Sequence, residues 1–213
     1  MKYCIIGFPR SRSSMLLETI SLYYKIPVLG RPIDDFHQRN FHSNFGKSLL
    51  RNILRTDQGV VRFHPLELMN KQDNYKIYNF DLLNFEQYDK IYFTFRESIT
   101  DALASEFVAS TVGKYTYMHP DALLKHIDPI EFNDDQMIRL HIYSENLVTQ
   151  LKKYLKENGI RSEDLYYNDI PNYVNEQFPT VKTHHVETHY DYKKIITNYN
   201  DIFLKYEELK DCK

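Results

Sequence analysis

Residues 5–20 read IIGFPRSRSSMLLETI, and the chain changes character twice within them. The apolar run Tyr3–Ile6 is closed by Gly7 and Pro9, the punctuation that ends a strand. Arg10, Ser11, Arg12, Ser13 and Ser14 then crowd two guanidiniums and three hydroxyls into consecutive positions. From Met15 onward the pattern is helical, with Met15, Leu16, Thr19 and Ile20 on one side. A strand that turns sharply into a helix presents unpaired amides and the positive end of a helix dipole, a setting suited to phosphate or a similar anion.

The same pattern repeats along the chain. Further strands are predicted at Gly59–Phe63, Lys90–Phe95 and near Asp164–Tyr167, with a weaker one at Ile26–Leu29. Helices are predicted over Ser13–Tyr24, Asn44–Arg55 with Ser43 as a cap, and Ile99–Thr111 with Ser98 and Asp101 in capping-box-like spacing. The clearest spans Asp135 to Asn158, where Leu140, Tyr143, Leu147, Leu151 and Tyr154 step by threes and fours and Gly159 supplies the stop. Strands alternating with helices predict a three-layer α/β fold, a mostly parallel sheet flanked by helices, in one domain over residues 1–213. The loop-rich, Pro-, His- and aromatic-containing stretches Arg31–His42 and Gly113–Asp134 are read as cap segments over the strand ends, where open α/β sheets bind ligands.

Composition narrows the classes. The net charge of −2 gives no global field to attract nucleic acid or an anionic membrane, so any anion site is built locally. Two cysteines are too few for a disulfide framework, and no apolar run approaches the roughly 20 residues that span a bilayer. With a strand almost at the first residue, no signal peptide is expected and a cytoplasmic location is. No internal repeat or low-complexity linker is visible.

Gly7 to Ser14 nearly fits the triphosphate frame G-x-x-x-x-G-K-[ST], but Arg12 replaces the second Gly and Ser13 the Lys that reaches the β/γ-phosphates. No strand ending in a Walker-B Asp is found. The alternative is a tight turn whose arginines are merely solvated. Gly-x-Pro-Arg-Ser-x-Ser-Ser after a first strand resembles the 5′-phosphosulfate loop of the P-loop sulfotransferases, with Arg12 where that family has Gly. The resemblance implies 3′-phosphoadenosine 5′-phosphosulfate as donor, held by Arg10, Ser11, Arg12, Ser13 and Ser14, and a reaction that needs no metal.

Two more elements follow in the family's order. Phe93-Thr94-Phe95-Arg96 and the helix bearing Ser105 resemble the strand-end Arg and helical Ser that grip the donor's 3′-phosphate, although Ser105 lies nine residues after Arg96 instead of eight and Ser98 stands where Pro is usual. The alternative is Arg96 paired with a surface carboxylate such as Glu97. Val60-Val61-Arg62-Phe63-His64-Pro65 resembles Lys-Thr-His-x-Pro, making His64 the expected general base, with Glu67 in reserve. Lys182-Thr183-His184 comes too late in the chain to serve.

Weaker echoes complete the reading. Leu165–Ile170 resembles a later structural strand, and Lys193 and Lys194 are candidate 3′-phosphate contacts. His184, His185 and His189 with Glu187 suggest a metal site or, more simply, a solvated polar strand. The expected function is sulfuryl transfer to a hydroxyl or amine of a small or macromolecular acceptor. The alternatives are a sulfotransferase-like fold that binds a nucleotide or partner without chemistry, and a nucleotide kinase.

Overall fold

A computed structural model describes residues 1–29, 51–70, 76–77, 80–111, 128–182 and 191–211. Strand β1 (Lys2–Gly7) is buried along its whole length, as a central parallel strand must be, and its side chains alternate between two cores. Tyr3 and Ile5 face one core with Leu16, Leu17 and Ile20 of helix α1 (Ser13–Tyr24). Cys4 and Ile6 face the other, with Leu147, Leu151 and Leu155 of a long helix near the middle of the chain. Period-two alternation in one strand thus creates a layer on each side of the sheet.

Its neighbours repeat the device. Strand β3 (Gly59–Phe63) pairs in parallel with β1, Ile6 opposite Phe63, and sends Val60 to one side and Val61 and Phe63 to the other. Strand β6 (Lys90–Phe95) flanks β1 on its other edge, also in parallel, with Gly7 opposite Thr94. The outer strands are β2 (Val28–Leu29) beside β3 and β7 (Ser162–Tyr166) beside β6. The order β2-β3-β1-β6-β7 is parallel throughout. Between β3 and β6 a two-stranded antiparallel pair, β4 (Met69–Asn70) with β5 (Lys76–Ile77), lies outside this sheet.

Helix α2, described over residues 51–55, adds Ile53 to the Cys4 side. Helices α3 (Ile99–Thr111) and α4 (Asp135–Glu157) follow β6. The latter is the long helix that supplies Leu147, Leu151 and Leu155. Ser98 Oγ accepts from Asp101 N, so the expected cap on α3 forms, and Asp134 Oδ1 accepts from Met137 N to cap α4. Helix α5 (Ile170–Gln177) has Pro171 in its first turn and joins the α1 side through Val174. Helices α6 (Tyr192–Ile195) and α7 (Asp201–Asp211) pack on α3 and α4 through Tyr192, Ile202 and Tyr206.

The expected α/β class and the five strand positions are therefore found. The fourth principal strand starts earlier than expected, at Ser162, and the Asn44–Arg55 prediction is described only from 51. The cap stretches Arg31–His42 and most of Gly113–Asp134 lie outside the described residues, as do His184, His185 and His189. Among the described residues no helix is long and apolar enough to cross a membrane.

Candidate functional site

The site is built at the C-terminal ends of β1 and β6. Gly7 is there because α1 begins almost on top of it: a Cβ would meet Ser13 Cβ at 2.5 Å and Thr94 Oγ1 at 3.0 Å. Phe8 N donates to Thr94 O across the strand ends at 3.2 Å. The chain then reverses through Arg10 at φ 59° and Arg12 at φ 60°. Left-handed backbone costs a non-glycine residue about 1–2 kcal/mol, and short turns of this kind form anion-binding concavities. Arg12 therefore adopts the conformation that a glycine would take more cheaply.

Three long-range contacts hold Arg10 and Arg12 in place. Arg10 Nε donates to Ser105 Oγ at 3.2 Å, and Ser105 is buried in α3. Arg96, at the end of β6, donates from Nε to Arg10 O at 2.9 Å. Arg12 Nη1 donates to Tyr167 O at 2.6 Å, and its guanidinium lies 3.7 Å from the centre of the Tyr167 ring. Arg96 lies 4.3 Å from the same ring, so one tyrosine carries two cations. The remaining contacts of Arg96 are to Asp101 O and the ring of Tyr192. Among the described residues it has no carboxylate partner; Glu97, the alternative considered, instead accepts from Asn168 N at 2.9 Å.

The serines divide into two roles. Ser11 is fully buried: its hydroxyl donates to Phe8 O at 2.6 Å and lies 2.7 Å from Thr94 Oγ1, while its amide bonds Phe8 O at 3.4 Å. Both polar groups of Ser11 are thus engaged within the turn. Ser13 is buried under Gly7. Ser14 is half-buried and accepts from Arg62 Nη1. The first bond within α1 is Leu16 N to Arg12 O, and no side chain caps the helix. The amides of Ser13, Ser14 and Met15 are thus the donors that the helix start offers to an anion.

His64 directly follows β3. Its Nδ1 accepts from Leu66 N at 3.2 Å, so the neutral ring carries its proton on Nε2. To act as a base through Nε2 the ring must first exchange tautomers, which sets two donors against each other at Leu66. Glu67, the reserve base, is buried and accepts from His64 N at 2.8 Å, bracing the 3-10 turn Pro65–Leu68.

Other charges refine the field. Burial, with Asp134 nearby, raises the Glu106 carboxyl to about 7, and Arg10 partly opposes that rise. Lys194 pairs with Asp191 at 3.2 Å, and Lys193 lies 5.8 Å from the Tyr199 ring. Tyr167 and Tyr192 were not singled out as arginine partners from the sequence; the aromatic residue just past the last strand was the available signal.

No family model matches this chain, and no curated protein does. Among solved structures, the YorR protein of Bacillus subtilis in complex with phosphorylated GDP aligns over 87% of this chain and 100% of its own. The identity is 10% and the TM-score 0.48.

Proposed function

We propose that the protein binds 3′-phosphoadenosine 5′-phosphosulfate and transfers its sulfuryl group to an acceptor. The observation that carries this reading is the junction of Arg10, Ser105 and Arg96, which joins the opening loop to the second motif over 95 positions of sequence. One cationic cluster then serves two anionic ends of one ligand. The amides of Ser13 to Met15 and the Arg10 guanidinium face the 5′ end, and Arg96 with Ser105 the 3′-phosphate. As the bond from sulfur to the bridging oxygen breaks, negative charge grows on the departing phosphate, where preorganised donors favour the transition state over the ground state. A kinase reading is less well supported, because Ser13 stands in place of the phosphate-reaching Lys and is packed under Gly7. The His64 tautomer favours one second reading, nucleotide binding without chemistry.

Calorimetric titration separates these readings. The bisphosphate 3′-phosphoadenosine 5′-phosphate is expected to bind at least tenfold tighter than adenosine 5′-phosphate, and Arg96→Ala to erase the difference. Tighter binding of Mg–ATP, or a bisphosphate preference that survives Arg96→Ala, overturns the proposal. Bisphosphate binding with no sulfate transfer across a broad acceptor panel selects the second reading.

A further inference from the structure

A cavity of about 360 Å³ lies between the end of β6 and helix α4, within the usual size range of small-molecule sites. Phe8, Phe95, Ala102 and Val148 give it apolar walls, and Arg96 lines it too, so it adjoins the loop. Five polar side chains of α4 also line it, Asn146, Thr149, Lys152 and, one turn apart, the pair His141 and Glu145; Lys210 of α7 adds a further cation.

The spacing of this pair is informative. His141 Nε2 and Glu145 Oε1 stand 3.7 Å apart, too far for a good direct hydrogen bond. Glu145 Oε2 is occupied by the Tyr206 hydroxyl, which fixes the carboxylate, and the His141 ring packs against Phe8 with centroids 5.2 Å apart. Burial lowers His141 to about 4, so the ring is neutral and has one N–H to give. An oxygen about 2.8 Å from both atoms closes a triangle with them, accepting from Nε2 and donating its own proton to Oε1. A group that accepts and donates through one atom is a hydroxyl.

We propose that this cavity binds a small alcohol with an apolar body, its hydroxyl held between His141 Nε2 and Glu145 Oε1. If the nucleotide reading above is correct, on which this further step rests, the alcohol is the acceptor. Its oxygen bonds to sulfur, the bond from sulfur to the bridging oxygen breaks with its electron pair leaving on the 5′-phosphate, and the hydroxyl proton passes to Glu145 Oε1.

Fluorine NMR without nucleotide tests the site independently of the donor. para-Fluorobenzyl alcohol is expected to bind at least tenfold tighter than para-fluorotoluene, which lacks only the hydroxymethyl oxygen. Glu145→Gln and His141→Phe should each remove that preference, and Asn146→Trp, at the exposed rim, should abolish binding of both probes. Equal affinities for the two probes in the wild type, no binding of either, or unchanged binding in Asn146→Trp overturns the proposal. Alcohol binding in a protein that fails the bisphosphate titration leaves this site standing and removes only its role as acceptor site.

Discussion

His141 allows a quantitative prediction about acid stability. The side chain is 8% exposed, packed between Phe8 and Tyr206, with Glu145 its nearest charged neighbour. Folding holds its pKa at about 4, against 6.5 for an ordinary imidazole. The unfolded chain therefore binds a proton that the folded chain refuses, and stability falls as pH drops from 6.5 towards 4. That interval corresponds to about 3 kcal/mol, an upper bound because Glu145 can favour the imidazolium once it forms. The perturbation is His141→Phe, which preserves the aromatic packing and removes the titration. Urea unfolding followed by circular dichroism gives the free-energy difference between variant and wild type at each pH. That difference is expected to move in the variant's favour by about 2–3 kcal/mol between pH 7.5 and pH 4, with most of the change below 6.5. Taking differences cancels the titrating groups that do not touch position 141; Glu145, in contact with it, is the exception. A difference that stays constant over this range would refute the claim that His141 is neutral in the fold.

Three further outcomes follow from the loop. Ser11→Ala removes a buried hydroxyl that bridges Phe8 O and Thr94 Oγ1; it should cost about 1–2 kcal/mol in chemical denaturation, with bisphosphate affinity changed less than threefold in calorimetry. Gly7→Ala places a methyl 2.5 Å from Ser13 Cβ against the sheet; about 1–3 kcal/mol of destabilisation is expected in the same assay, and none would mean that α1 can retreat freely. Arg96→Lys keeps the charge but cannot reach Arg10 O and Asp101 O with one planar fork; calorimetry should show bisphosphate affinity at least tenfold below wild type, so charge alone is insufficient if the reading is right.

The sequence discloses the fold where burial is complete. Lys2–Gly7, Gly59–Phe63 and Lys90–Phe95 are inner strands, almost continuously apolar and closed by clear punctuation. Strand β7 lies at the sheet edge, where only Leu165 is buried, so its polar first residues carry no strand pattern and its start was placed late. Helices α5 and α7 are short and bury two residues each, too few to set a period. The site divides in the same way. Arg10, Arg96 and Ser105 were legible because local motifs announce them, and the structure brings them together. That Thr94 stands opposite the Ser11 hydroxyl is not visible in local sequence. The His64 tautomer depends on one amide two residues away, and the partnership of Arg12 with Tyr167 spans 155 positions. Local pattern does not report geometry of that kind.

That last partnership bears on how the protein comes into being. The opening loop is written in the first fifteen residues, yet its two arginines sit in a backbone shape that they disfavour, and the tether at the carbonyl of Tyr167 comes 155 positions after Arg12. A nascent polypeptide that has emerged only as far as α1 therefore carries the motif without its form. The pocket is finished late, once β7 has docked and the last corner of the sheet has closed.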